Sequence, residues 1–209
     1  MPGKKLLLVE GIDDLHVILA IQGQREIRLL DKNEIKTNDG IDELLKSFPV
    51  HLKGSDIRAL GAVVDADTNL INRWQSLRDR LVDAGYDNVP TEPDAAGTVI
   101  DAPPMSLLPR VGIWLMPDNT TTGILEDFLR YLVPPESALF PHVEASVNSI
   151  PKDETRFTSL AKPKALIHTW LAWQDEPGRP LGQSITAHFL KHDVPQVDVF
   201  VAWLQKLYA

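Results

Sequence analysis

Two apolar segments that each stop at acidic residues constrain this fold most. The first reads KKLLLVEGIDD from Lys4, and the second reads LGAVVDAD and ends at Asp67. Strands that are apolar along their whole length are typical of a parallel sheet with helices on both faces. Because the carboxyl ends of parallel strands meet at one edge, we expect Glu10, Asp65 and Asp67 to emerge close together.

The order of the segments predicts repeated strand-helix units in the first two thirds of the chain. We expect buried strands at 5–10, 26–30, 59–64 and 111–116. We expect helices that begin near Asp13, Gly40, Asn69 and Gly123. The last of these helices should stop at Pro134, because proline cannot continue a helix. The sequence therefore predicts an α/β domain, with a mainly parallel sheet flanked by helices, over residues 1–135.

Residues 136–209 have a different character. Four segments with helical patterns follow one another, separated by proline and glycine. Trp170, Trp173 and Trp203 lie in these segments, and tryptophan at helical spacing is typical of a packed core. We expect a helical C-terminal extension that packs on the same domain.

Composition bounds the partners and the compartment. The chain of 209 residues has no cysteine, which excludes disulfides and thiolate metal sites. A net charge of −8 argues against strong autonomous binding to a nucleic-acid backbone, but it does not exclude nucleic acid as a substrate. A local basic rim could still form from Lys4, Lys152, Lys162, Lys164 and Arg179. With neither a signal peptide nor a membrane-spanning segment in the pattern, we expect a cytoplasmic protein with no membrane partner.

The acidic residues are spaced as a metal site would need. Glu10 and Asp14 are four residues apart across a strand-to-helix turn, and Asp65 and Asp67 follow another strand. Glu126 adds a carboxylate at the start of a later helix. Two carboxylates about 4 Å apart repel by roughly 4 kcal/mol at an effective dielectric near 20, so such a cluster is protonated or holds a cation. Oxygen ligands around a shallow pocket favour magnesium or a similar ion.

The motifs LLLVEG-x-x-D, VVDAD and GILEDFL, in this order, resemble the Toprim domain of topoisomerases, bacterial-type primases, recombination-repair proteins and OLD-family nucleases. The resemblance covers residues 4–132 and is closest to small uncharacterised bacterial Toprim-like proteins. It implies a Rossmann-type sheet, a site for Mg²⁺ or Mn²⁺, and nucleic acid as a transient substrate. It also implies a role for Glu10 as a catalytic acid or base and as a metal ligand. The further metal ligands implied are Asp14, Asp65, Asp67 and Glu126. Apart from the resemblance, Asp118 and Asp127 are secondary candidates by their placement, and Asp13 is a third.

The sequence departs from each well-known branch of that family. No domain is present to offer a tyrosine nucleophile as a topoisomerase does, and no zinc module of a primase is present. The nucleotide-binding pattern Gly-x-x-x-x-Gly-Lys-Ser/Thr is also missing, so an OLD-like ATPase would have to be encoded separately. The resemblance therefore predicts a metal-dependent phosphodiesterase that acts alone or with a separate ATPase.

Other interpretations of the same residues stay open. Glu10, Asp14, Glu126 and Asp127 could be acids that stabilise helix amino ends, and the segment from Asp65 could be a strand-end turn. A receiver-type phosphoacceptor domain also has acids after its first and third strands, but it needs a lysine after its last strand. A haloacid-dehalogenase-type phosphatase has its Asp-x-Asp after its first strand. The strongest alternative is a non-catalytic Toprim-like module that binds a metal or a partner.

Overall fold

The computed structural model describes residues 3–209, which form a mostly parallel sheet flanked by helices. The strands are β1 (Lys4–Val9), β2 (Ile35–Thr37), β3 (Ile57–Asp65), β4 (Thr98–Ile100) and β5 (Arg110–Met116). The helices are α1 (Ile12–Gln24), α2 (Ile41–Leu52), α3 (Leu70–Ala84), α4 (Leu125–Leu132), α5 (Leu139–Asn148), α6 (Lys162–Ala172), α7 (Leu181–Thr186) and α8 (Pro195–Tyr208). The predicted α/β class is confirmed.

The strand order places the topological switch point of the sheet between β1 and β3. The sheet runs β2-β1-β3-β5-β4, and only β4 is antiparallel to its neighbour. Leu7 and Val9 pack with α1 and α8 on one face, while Leu6 and Leu8 pack with α2 and α3 on the other. Because α1 and α2 cover opposite faces, the chain changes direction between β1 and β3. Open α/β sheets bind their ligands at the carboxyl ends of such strands.

The strand expected at 26–30 is wrong, and the second strand lies at Ile35–Thr37 instead. The reason is that the side chain of Gln22 forms hydrogen bonds with the backbone groups of this segment. The amide oxygen of Gln22 accepts hydrogen bonds from the N–H groups of Leu29 and Leu30, at 3.1 and 3.0 Å. The Gln22 amide nitrogen also donates to the Leu30 carbonyl at 3.3 Å. These groups are satisfied locally, so they do not join a sheet.

The predicted helices are confirmed with small changes at their ends. The side chain of Asn69 accepts a hydrogen bond from the N–H of Asn72 at 2.9 Å, which begins α3. Gly85, with φ of 104°, ends the same helix in the left-handed conformation that favours glycine. Among residues 3–209, none of the helices is both long enough and apolar enough to cross a bilayer.

The C-terminal helices pack against the sheet domain, and α8 lies directly on the sheet. Gly61 of β3 and Gly112 of β5 are register partners beneath α8. A Cβ atom at Gly61 would overlap the Tyr208 hydroxyl, and one at Gly112 would lie 2.5 Å from Leu207 Cδ2. The paired glycines therefore let the helix approach the strands closely, and the Tyr208 hydroxyl donates to the Leu6 carbonyl at 2.8 Å.

The tryptophans expected in the core divide into two groups. Trp170 and Trp203 are buried as expected, but Trp173 is 43% exposed. The core expectation for Trp173 is therefore wrong. Trp173 is the residue that ends α6, and its ring lies against His142 at the surface.

Candidate functional site

Four carboxyl groups from separate parts of the fold lie near one another at the carboxyl edge of the sheet, and we call them the carboxyl cluster. Glu10 follows β1, Asp65 ends β3, Asp14 lies in the first turn of α1, and Glu126 lies in the first turn of α4. Asp14 and Glu126 are buried, with 7% and 3% of their surface exposed. The expectation that strands β1 and β3 deliver carboxylates to one edge agrees with this placement.

Hydrogen bonds to backbone N–H groups hold three members of the cluster. Glu10 Oε1 accepts from the N–H of Asp65 at 2.8 Å, which connects the ends of β1 and β3. Asp65 Oδ1 accepts from the N–H of Leu125 at 2.9 Å, which connects β3 to the start of α4. Asp14 Oδ2 accepts from the N–H of Gly11 at 2.9 Å, so this residue also stabilises the amino end of α1.

The cluster strongly changes the protonation of its members. Burial first, and then the neighbouring charges of Glu10, Asp14 and Glu126, raise the pKa of Asp65 to about 9. Burial also raises the pKa of Asp14 to about 7, against the effect of its bond to Gly11. The pKa of Glu10 is raised by burial as well, although its bond to Asp65 opposes the rise. The cluster therefore binds protons at a pH at which isolated carboxyl groups are ionised.

A lysine from the C-terminal helices faces the cluster. Lys164 Nζ of α6 lies 3.8 Å from Glu126 Oε1. Burial raises the pKa of Glu126, while Lys164 and then His168 lower it. Lys164 also lowers the pKa of Glu10, so its charge acts on two members of the cluster. The C-terminal region thus contributes a cation to a site that the sheet domain builds.

The other residues proposed for a basic rim are placed differently. Lys4 begins β1 and therefore lies toward the opposite edge of the sheet from Glu10. Arg179 forms an ion pair with Glu176. Of the five rim candidates, Lys164 is the one for which the described residues show an ion pair with the cluster.

Asp67 lies beside the cluster but is bound to an arginine. Its backbone has a φ of 53°, and its N–H donates to the Gly123 carbonyl at 2.8 Å. Its side chain forms an ion pair with Arg73 of α3, and Arg73 Nε donates to the Asp65 carbonyl at 2.9 Å. The sequence analysis missed Arg73. The available signal was its position one turn into the helix that directly follows the Asp-x-Asp motif.

The secondary candidates have local structural contacts or point outward. Asp13 is exposed. Asp127 Oδ2 accepts from the N–H of Ile124 at 2.9 Å and so stabilises the amino end of α4. Asp118 accepts from the backbone of Thr120 and from the Tyr131 hydroxyl, at 3.0 and 2.8 Å. Burial raises the pKa of Asp118, but these hydrogen bonds outweigh it and leave the pKa lowered.

The donor atoms of the cluster suit a hard divalent cation, but their present orientation does not form a ligand set. Across residues 3–209, no three histidine or acidic side chains are arranged so that they could hold a metal ion together. Glu10, Asp14 and Asp65 each direct one oxygen to a backbone N–H. Their second oxygens accept no hydrogen bond from the described residues. Carboxylate oxygens are the ligands that Mg²⁺ and Mn²⁺ prefer, so the chemistry of the donor atoms suits such an ion although their present geometry does not bind one.

Comparison with known proteins gives a family without an assigned activity. No curated protein and no solved structure matches the chain. One family model matches residues 4–209, which span both the sheet and the C-terminal helices, and its description is "Protein of unknown function (DUF3226)". Because the match covers nearly the whole sequence, the chain belongs to the DUF3226 family.

Proposed function

We propose that this protein is a Mg²⁺- or Mn²⁺-dependent phosphodiesterase that acts on nucleic acid at the carboxyl cluster. The observation that carries the proposal is the set of buried and half-buried carboxyl groups at the carboxyl ends of β1 and β3, where burial and neighbouring charges raise the pKa of Asp65 to about 9. Buried carboxyl groups that repel one another destabilise a fold, and a divalent cation would remove that repulsion. The Toprim resemblance of the same residues points to the same chemistry.

In this proposal, some residues of the cluster would bind the cation and one would accept a proton. Asp14, Asp65 and Glu126 would hold the cation through their free oxygens, with Asp67 as a further ligand if it leaves Arg73. A bound divalent ion would supply a Lewis acid and a water of lowered pKa. Glu10 would take the proton of the attacking water, because its raised pKa brings this carboxylate closer to the pH at which a general base works well.

Two cations beside the cluster would interact with the phosphodiester. Lys164 of α6 lies beside Glu126, and Arg73 of α3 is paired with Asp67. In a chain with a net charge of −8, these local cations would orient the backbone phosphate at the site. A cytoplasmic location and a separately encoded ATPase partner belong to the same proposal.

A non-catalytic module that binds a metal or a partner is the second candidate. The observation that favours it is the set of hydrogen bonds between the cluster and backbone N–H groups. Such bonds give the carboxyl groups a structural role that requires no turnover. This candidate predicts cation binding without cleavage.

The test is cleavage of labelled DNA and RNA with and without Mn²⁺. We expect Mn²⁺-dependent products from the wild type and a loss of at least about a hundredfold for Glu10→Gln and Asp65→Asn, since each removes a group that acts in the reaction. Asp83→Asn is the matched control, because Asp83 is an exposed acid of α3 with no hydrogen bond or ion pair among the described contacts. Products that persist in Asp65→Asn would contradict the proposal, and cation binding without products would favour the module.

A further inference from the structure

Arg73 makes two contacts that a purely carboxylate site does not explain. Its guanidinium pairs with Asp67, and its Nε donates to the Asp65 carbonyl at 2.9 Å. The side chains of Arg73 and Asp67 are 15% and 33% exposed, so the pair is largely shielded from solvent. Asp67 raises the pKa of Glu10 and Arg73 lowers it, which places both charges beside the cluster. Arg73 therefore provides positive charge near the position that a cation would take.

A small cavity adjoins this ion pair. Its volume is about 230 Å³, and Thr68, Asn69 and Asn72 line it together with Asp67 and Arg73. The lining therefore offers a hydroxyl group, two amides and a guanidinium beside the first turn of α3. The partial positive charge of that helix end also favours an anion. Arginine binds phosphate through two parallel N–H groups, so a phosphate in this cavity would compete with Asp67 for the guanidinium.

We propose that this cavity is a phosphate subsite in which Arg73 exchanges Asp67 for a phosphate of the substrate backbone. This inference rests on the proposed function and names how that site recognises its substrate. When the phosphate occupies Arg73, the released oxygen of Asp67 becomes available to the cation held by Asp14, Asp65 and Glu126. The exchange replaces one ion pair by another and makes or breaks no covalent bond.

The exchange predicts effects of opposite sign in one variant. Arg73→Gln removes the phosphate ligand, so inorganic phosphate should no longer bind. The same change frees Asp67 and removes a positive charge from beside the cluster, so Mn²⁺ should bind more tightly. An arginine with a merely structural role would weaken both when it is replaced.

The experiment measures Mn²⁺ alone and inorganic phosphate alone by calorimetry, for the wild type, Arg73→Gln and Arg78→Gln. Arg78 is the matched control on the same helix, where its Nε donates to the Pro90 carbonyl at 3.2 Å and not to the cluster. For Arg73→Gln we expect Mn²⁺ affinity to rise on the order of tenfold, from the lost charge repulsion, and phosphate binding to disappear. For Arg78→Gln we expect both affinities to equal those of the wild type.

Other results overturn the exchange in distinguishable ways. If Arg73→Gln binds Mn²⁺ no more tightly, or still binds phosphate, while Asp65→Asn abolishes Mn²⁺ binding, the exchange is wrong and the proposed function stands. If no variant binds Mn²⁺, the proposed function has failed and the exchange fails with it. Arg73→Lys provides a second variant should Arg73→Gln not fold. It keeps the positive charge but lacks the two parallel N–H groups, so we expect weaker phosphate binding, and phosphate binding equal to that of the wild type would contradict the exchange.

Discussion

Two largely buried regions of the protein are held by opposite kinds of contact. One is the interface between α8 and the sheet, and the other is the carboxyl cluster. Under α8, Gly61 and Gly112 leave room for Leu207 and Tyr208, and the Tyr208 hydroxyl has a carbonyl partner. At the cluster, the removal of Asp65 from solvent, and then the neighbouring carboxyl groups, raise the pKa of this half-buried residue to about 9. The first region stabilises the fold through close apolar contact. The second region destabilises the fold through desolvation and repulsion.

This difference separates residues that stabilise the fold from residues that destabilise it. A substitution under α8 should reduce the free energy of unfolding at every pH, because packing does not titrate. A substitution in the cluster should increase the free energy of unfolding wherever it removes a repelled charge. Proteins keep such costly groups mainly at functional sites, where strain and altered pKa values recur.

The largest expected effect comes from the packed region. Gly61→Ala would place a Cβ against the Tyr208 hydroxyl and 2.5 Å from Leu7 Cδ1. We expect a loss of about 3 kcal/mol in the free energy of unfolding, at the upper end for overpacked cores. Urea unfolding measures it, with Gly23→Ala of α1 as the control. No atom lies within 4 Å of a Cβ at Gly23, so the control should be neutral or slightly stabilising, and equal losses in both variants would contradict the close approach of α8.

The next predicted effect is an increase in the free energy of unfolding, and it depends on pH. The folded pKa of Asp65 is about 9 against an ordinary value of 3.8, so between these values the folded state binds a proton that the unfolded state has released. Stability from this group therefore falls as pH rises from about 4 to about 9. Without divalent cations, we expect Asp65→Asn to be about 2 kcal/mol more stable than the wild type at pH 8 and equal to it at pH 4. Urea unfolding at both pH values measures this. A difference in the free energy of unfolding between Asp65→Asn and the wild type that is the same at pH 4 and pH 8 would contradict the prediction.

A smaller effect probes the polar contact within the packed region. Tyr208→Phe removes the hydroxyl that donates to the Leu6 carbonyl at 2.8 Å. We expect a loss of about 1 kcal/mol in the free energy of unfolding, because a buried carbonyl loses a partner while the ring still packs. Tyr131→Phe is the comparison, since its hydroxyl donates to Asp118 at a partly exposed site. A larger loss for Tyr131→Phe would reverse the expected ranking of the two regions.

The smallest effect tests the cation that faces the cluster. Lys164 is 57% exposed and lies 3.8 Å from Glu126 Oε1, so solvent screens much of the attraction. We expect Lys164→Gln to cost about 0.5 kcal/mol at pH 8 and less at pH 4, where Glu126 is protonated. Lys53→Gln, which changes an exposed lysine with no ion pair among the described contacts, should have no such pH dependence. A larger cost at pH 4 would contradict the proposed contact.

The sequence was sufficient for the fold class and for the carboxyl edge because both follow from local patterns. The apolar runs that end at Glu10 and Asp65 predicted parallel strands whose carboxyl ends meet at one edge, and the structure shows these two strands as neighbours in the sheet. The helix from Asn69 to Gly85 carries both of its end signals in the sequence. Such features need only the spacing of neighbouring residues.

The features that were missed depend on contacts between distant parts of the chain. Nothing near 26–30 indicates that Gln22 would bind its backbone and prevent a strand. The pairing of Gly61 with Gly112 beneath α8 requires the strand register. Arg73 resembles any exposed helix residue until the ion pair with Asp67 is seen.

The central claim is that the carboxyl cluster binds a divalent cation, and direct titration with Mn²⁺ tests it most closely. Isothermal calorimetry at pH 8 should show saturable binding to the wild type and to Asp83→Asn, with proton release as the raised pKa of Asp65 falls. The same titration of Asp65→Asn should show no saturable binding. Binding that is unchanged in Asp65→Asn, or absent from the wild type, would contradict the claim.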